Sequence, residues 1–299
     1  MLDLITKTRL TSDDFHQRIE FLIDGFIARQ LITMFYAEGG SGKSWLAYAV
    51  AKYSAQMGMD VIYLDYDNPI TVLADRGLAD KLINPHDNLF YMSSSKSDLT
   101  SNQMIDLILD TSADANMSNT VLLIDSLRDF VEVRNDFQSM QFMDKLKAIR
   151  KRGATIIVLS HSNKDARNYE GSNNIYNSLD NMFRLSKIEQ LDDGIKYLFT
   201  SRKDRAGTGD CAFELDTRTL GLSRMDVEAA QLTTEDKEFI DAVTAVLTDK
   251  PGINKKELLE AIGCDKRDHT ANGRLERYEG KYWVSVKRKN VYTYSLQLD

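Results

Sequence analysis

The chain has 299 residues, 42% hydrophobic and 28% charged, with a formal net charge of −7, three prolines and two cysteines. That length buries a sizeable core and usually divides into a large and a small domain; no apolar run approaches the roughly 20 residues of a membrane span. The mixed, polar start "MLDLITKTRLTSDDF" lacks the apolar centre of a secretion signal, and Cys211 and Cys264 have no metal-ligand spacing, so the expected setting is cytoplasmic with both thiols reduced.

Apolar, β-branched runs predict strands over 31–37, 61–64, 88–92, 121–124 and 155–160. Helical patterns over 44–56, 70–82, 102–111 and 137–152 separate them. This alternation predicts an α/β fold with a mostly parallel sheet covered on both faces. After 180 the pattern becomes "NMFRLSKIEQLDDGIKYLFTSRKD" and "CAFELDT", an antiparallel extension turning at 191–194. The large domain is placed at 1–222 and a linker at 223–232. In the second domain, 233–299, Thr233 is the expected N-cap of a helix running to about 248, with acids in its first turn. A turn at Lys250-Pro251-Gly252, helices over 255–262 and around 268–277, and the hairpin "YWVSVKRKNVYTYSL" follow. Three helices and a hairpin resemble a small winged-helix domain. From 250 onward there are 11 Lys/Arg against 7 Asp/Glu, a balance of +4 against −11 for the rest. A basic small domain behind an acidic large one is compatible with local phosphate contacts.

The most informative stretch is "AEGGSGKS", residues 37–44, between a predicted strand and a predicted helix. Glycines there let backbone N–H groups point at phosphate oxygens, and a helix N-terminus adds positive potential. Ala37 stands where the loop's first glycine is usual, but Gly39, Gly40 and Gly42 are present. Glu38, Ser41 and Trp45 complete the expected nucleotide-binding stretch. Lys43 is expected to reach the β and γ phosphates of ATP, and Ser44 to hold Mg2+. "TVLLIDS" ends an apolar strand in Asp125, a second expected Mg2+ ligand.

Together "LITMFYAEGGSGKSWLA", "VIYLDYDNP", "VLLIDS", "TIIVLSHSNK" and "KDRAGTG" resemble, in order and spacing, the RecA-like hexameric ATPases, above all the RepA and DnaB-type replicative helicases. The resemblance covers roughly 21–216. It implies a RecA-like P-loop core, ATP hydrolysis with Mg2+, and a homo-hexameric ring around single-stranded DNA. Residue by residue, it implies that Asp67, where the family usually has glutamate, polarises the attacking water, with Asp65 as competitor. It implies that His161 senses the γ-phosphate and that Lys203 and Arg205 reach the neighbouring subunit's nucleotide, with Arg202 as the fallback. Arg76 occupies a position that can pack on the base. Two loops would line the DNA channel, one carrying Arg128 and Arg134, the other Lys164, Arg167 and Tyr169, a residue able to stack on a base. Lys266, Arg267, Arg274 and Arg277, with Lys287, Arg288 and Lys289 at the hairpin tip, would meet duplex DNA or a replication protein. The absence of room for a separate domain before 21 favours the shorter RepA-like arrangement. A DNA-binding regulator switched by ATP and a filament-forming recombination ATPase are the competing expectations.

Overall fold

The computed structural model describes residues 9–16, 18–163, 168–288 and 291–297, apart from the side chains of residues 13, 14 and 288. Two units are distinct, Met1–Val227 and Glu228–Asp299. In the first, the elements run β1 (Phe21–Ile23), β2 (Ile27–Ala28), β3 (Ile32–Ala37), α1 (Lys43–Gln56), β4 (Asp60–Asp65), α2 (Ile70–Asp75), β5 (Leu89–Ser93) and α3 (Ser101–Thr111). They continue through β6 (Thr120–Asp125), α4 (Asp136–Lys151), β7 (Thr155–His161), α5 (Asn173–Ser178), β8 (Asn181–Gln190), β9 (Gly194–Asp204), β10 (Cys211–Asp216) and β11 (Leu222–Met225), and the short α6 (Val227–Ala230) spans the boundary between the units.

Nine strands form one sheet in the order β11-β10-β9-β8-β3-β7-β6-β4-β5. The run from β8 to β5 is parallel, and β9, β10 and β11 continue it antiparallel. Both faces of the parallel part are covered, so β3, β6 and β7 are almost entirely buried instead of alternating. On one face α1 lies against the sheet. Its sequence KSWLAYAVAKYSAQ has no strongly polar side, which suits a helix buried nearly all round. On the other face Ile105, Ile108, Phe142, Leu146 and Ile149 from α3 and α4 pack on Ile124, Ile156 and Val158.

The predicted helix over 70–82 is broken. Gly77, at φ +67, ends α2, and a π-helical turn at Ala79–Ile83 follows; a left-handed glycine is a usual helix stop. The β1–β2 hairpin, unmarked in the sequence pattern, inserts Phe26 among Phe35, Phe183, Phe199 and Phe213 at ring separations of 4.7 to 5.8 Å. Residues 222–225 pair with β10, so 223–225, expected as linker, belong to the sheet. Among the described residues no helix is long and apolar enough to cross a membrane.

The second unit holds α7 (Thr234–Asp249), β12 (Ile253–Asn254), α8 (Lys255–Ala261), α9 (His269–Arg277), β13 (Trp283–Arg288) and β14 (Val291–Leu296). Thr233 caps α7 reciprocally with Asp236, as the first-turn acids predict. The three strands form an antiparallel sheet in the order β12-β14-β13. Trp283 is fully buried among Phe239, Val243, Leu258 and Leu275, and its indole N–H donates to the Leu275 carbonyl at 2.9 Å.

Candidate functional site

The carboxyl ends of neighbouring parallel strands make the crevice where α/β sheets hold ligands. Here the ladder sets Ala37 of β3 beside His161 of β7, and Asp65 of β4 beside Asp125 of β6. The loop from Glu38 to Gly42 leaves β3 and enters α1 with Gly40 at φ +73 and Gly42 at φ +89. Gly42 has a second reason to be glycine. A Cβ there would lie 2.2 Å from the Tyr197 hydroxyl oxygen, because that hydroxyl donates to the Gly42 carbonyl at 2.9 Å. Ala37, by contrast, is ordinary buried strand, so its methyl is accommodated. Lys43 folds back over the loop, donating to the carbonyls of Ala37 at 3.1 Å and Glu38 at 2.8 Å. Burial pushes its ammonium down to about 8, against the pull of Asp125 and Asp67.

Asp125 is buried at the end of β6, followed by a cis peptide to Ser126. Burial, joined by the like charge of Asp65, pushes its carboxyl up to about 7. Hydrogen bonds from Ser44 and Tyr63 act in the opposite direction, the Tyr63 hydroxyl donating at 3.0 Å. Asp125 and Ser44 thus meet in one place, although 81 positions separate them in the sequence.

The two acids that compete for the role of base have different surroundings. Asp65 is wholly buried. It accepts from the backbone N–H groups of Asn68 at 2.9 Å and Asp67 at 3.1 Å, from the Asn68 amide and from the Tyr91 hydroxyl at 2.5 Å. A carboxylate with that many donors organises the loop and has no lone pair to offer a water. Asp67 sits at the crevice mouth, partly exposed, and one of its oxygens accepts from Arg128 at 2.9 Å. Of the two, only Asp67 is open to a reactant.

His161 ends β7 with its Nε2 buried and without a hydrogen-bond partner among the described residues. Burial, with Lys43 and Arg128 nearby, holds its pKa below the usual value. A neutral imidazole beside the loop, with a buried, unpartnered ring nitrogen, suits contact with a ligand that brings its own polar atom. Arg76 lies over the rings of Trp45 at 5.6 Å and Tyr48 at 5.8 Å and donates to the Tyr48 hydroxyl. Lys81 also lies over Trp45, at 5.6 Å.

Other expected site residues lie elsewhere. Lys203, near the end of β9, and Arg205, just past it, lie six and eight residues beyond Tyr197, about 20 and 27 Å along the chain at ~3.4 Å per residue. Lys203 donates to the carbonyls of Tyr176 and Asn177. Arg205, 57% exposed, shares the buried carboxylate of Asp180 with Arg150, at 2.8 and 2.6 Å. Arg134 pairs with Glu170. Lys164 and Arg167 lie outside the described residues, between the bridge partners Ser162 and Tyr169. Tyr169 is turned inward, its hydroxyl on the Ser172 carbonyl and its ring edge-on to Tyr36, so it does not present a free face to a base. In the second unit Lys266, Arg267 and Arg277 are exposed, and Lys287 lies over the Tyr292 ring. Lys289 and the Arg288 side chain are outside the described set. The expectation that Arg274 faces DNA is corrected: its guanidinium is engaged by Glu235 and Asp236 at the start of α7. Sequence reasoning missed Tyr63, Tyr91 and Tyr197, whose hydroxyls hold the acids and the loop; a tyrosine inside a strand pattern carries no mark of that use.

A family model described as an AAA domain matches residues 7–167. No curated protein sequence matches the chain. Among solved structures, the ATPase domain of G40P superposes with a TM-score of 0.53 at 14% identity, covering 75% of this chain and 97% of that one; at that identity the likeness is one of fold. The flagellar accessory protein FlaH from Methanocaldococcus jannaschii gives a TM-score of 0.47 at 18% identity, covering 73% of this chain and 97% of that one. The sheet order and the likeness to the G40P domain show the RecA-like P-loop fold that the sequence blocks imply. The family match spans more than half of the chain, from before β1 to beyond β7, and on that ground the chain belongs to the AAA domain family and is an ATPase.

Proposed function

We propose that the chain is an ATP-driven motor on single-stranded DNA, a small replicative-type helicase working as a head-to-tail ring, with six subunits the expected number. The observation that carries this reading is the hydrogen bond from Arg128, on a loop expected to meet DNA, to Asp67, the carboxylate expected to act on the attacking water. The loop and the nucleotide site share a charge pair. A DNA phosphate that takes Arg128 frees Asp67.

The remaining roles follow from position. Ser44 and Asp125 would hold Mg2+ through their side-chain oxygens, and a cation there would supply charge neutralisation to the β and γ phosphates. Lys43 leaves its two carbonyls for the phosphates, and Asp67 orients water for in-line attack. His161 contacts the terminal phosphate or that water. Arg205 is too far from its own chain's loop to help there, which supports delivery to a neighbour's nucleotide. The exposed bases of the second unit support a docking role toward duplex DNA or a replication protein.

The direct test is ATP turnover with and without single-stranded DNA, followed by strand displacement from a forked duplex. Stimulation and polar unwinding are expected; saturating DNA that leaves turnover unchanged and no displaced strand would sink the reading. A defined duplex footprint without stimulation would favour an ATP-switched regulator.

Arg128→Ala gives a sharper outcome. The Arg128–Asp67 pair is substantially exposed, with side chains 52% and 30% accessible, and such a pair is worth at most ~1 kcal/mol. Basal turnover is therefore expected to rise by up to about fivefold, and the stimulation by DNA to fall toward unity. An unchanged basal rate with full stimulation would dissociate the pair from coupling.

A further inference from the structure

Arg184 has no established task. It lies on β8, whose parallel register sets it beside Tyr36, two residues before the loop. It is half-buried, and among the described residues its side chain forms no hydrogen bond or ion pair. Its side chain lines a cavity of about 370 Å3 together with Glu38, Gly39, Gly40 and Lys187. The loop side of that cavity is open space: a Cβ built on Gly39 or Gly40 would meet nothing within 4 Å.

A guanidinium half out of water with no acceptor is unfavourable unless something else supplies one. The cavity wall carries two cations and one acid, so the missing acceptor is an anion. Its location relative to the nucleotide follows from Lys43. That ammonium, which reaches for the β and γ phosphates, rests on the carbonyls of Ala37 and Glu38, and both residues also line the Arg184 cavity. The end of the loop nearest Arg184 is thus the end where the terminal phosphate belongs.

We propose that Arg184 is a phosphate ligand in its own subunit, a second cation on the terminal phosphoryl group that distinguishes a nucleoside triphosphate from a diphosphate. The proposal rests on the reading of the loop as the nucleotide site. It differs from the role given to Arg205, which acts across a subunit boundary. A planar, bidentate donor on a sheet strand is held more firmly than one on a loop, which suits reading the presence of one phosphoryl group.

The test is equilibrium binding of a fluorescent non-hydrolysable ATP analogue and of fluorescent ADP to the full chain, with Mg2+, for wild type, Arg184→Ala and Arg184→Lys. Arg184→Ala is expected to weaken the triphosphate analogue about tenfold and ADP less than twofold. Arg184→Lys, which keeps the charge, should lie within about threefold of wild type for both. Equal weakening of both ligands in Arg184→Ala, or no change in either, overturns the proposal. Failure of the underlying reading looks different: wild type would bind neither nucleotide, or Lys43→Ala would bind both as wild type does.

Discussion

Lys43→Ala is expected to lower ATP turnover by about 10²- to 10³-fold, the usual consequence of removing one preorganised charge from a transferring group, while the protein keeps its fold. The second half of that expectation comes from the loop's hydrogen bonds. The two carbonyls that Lys43 contacts have other donors: Ala37 accepts from the Ser162 N–H at 3.0 Å, and Glu38 from the Ser41 hydroxyl at 2.8 Å. Removing a desolvated ammonium therefore leaves no orphaned carbonyl. Phosphate release and a thermal melt on the same sample check both halves. Mixing the variant with Arg205→Ala subunits extends the test. Arg205→Ala leaves Asp180 with Arg150 and the Ile32 N–H, so that variant also folds. Partial recovery of turnover in mixed assemblies is expected, because the two defects lie on opposite sides of one boundary; no recovery in assemblies that do mix counts against delivery of Arg205 in trans.

Asp125→Asn should make the protein more stable and inactive at once. Burial raises the Asp125 carboxyl from 3.8 to about 7, so between those values the folded protein holds a proton that the unfolded chain has released. Stability then falls as pH rises through that window, by at most ~4 kcal/mol at ~1.4 kcal/mol per unit. Asparagine removes the charge with little change in shape. The gain is bounded above by the same ~4 kcal/mol, and the loss of Asp125's attraction for Lys43 acts against it. The variant in EDTA is expected to melt above wild type at pH 8, with the difference vanishing near pH 4. Its Mg2+-dependent turnover should fall by about 10²-fold or more. A variant no more stable than wild type at pH 8 would mean that the carboxylate is better solvated than its burial implies.

What the sequence disclosed was the chemistry with a fixed spacing. The run from Glu38 to Ser44 must be contiguous to wrap a phosphate, and Asp125 must end an apolar strand, so both are legible locally. Pairing across the sheet is not. Nothing in "NMFRLSK" says that its strand lies parallel to β3 before turning back as a hairpin, and that placement is what brings Arg184 to the loop. Asp65 and Asp67 are two residues apart in one short motif, and only the third dimension separates an acid saturated by donors from one at the crevice mouth. Arg274 looked like a basic face of a helix because its partners, Glu235 and Asp236, are nearly 40 positions away. Phe26 was unremarked for the same reason, since its aromatic neighbours come from four other strands.

The chain's two tryptophans fall one in each unit. Trp45 opens α1, half-buried beneath the cations of Arg76 and Lys81, whereas Trp283 is sealed in the core of the second unit. Their emission therefore carries two separable signals. Quenching at Trp45 follows events at the phosphate loop, and a red shift from Trp283 follows opening of the C-terminal core, so one optical channel can time both without a label.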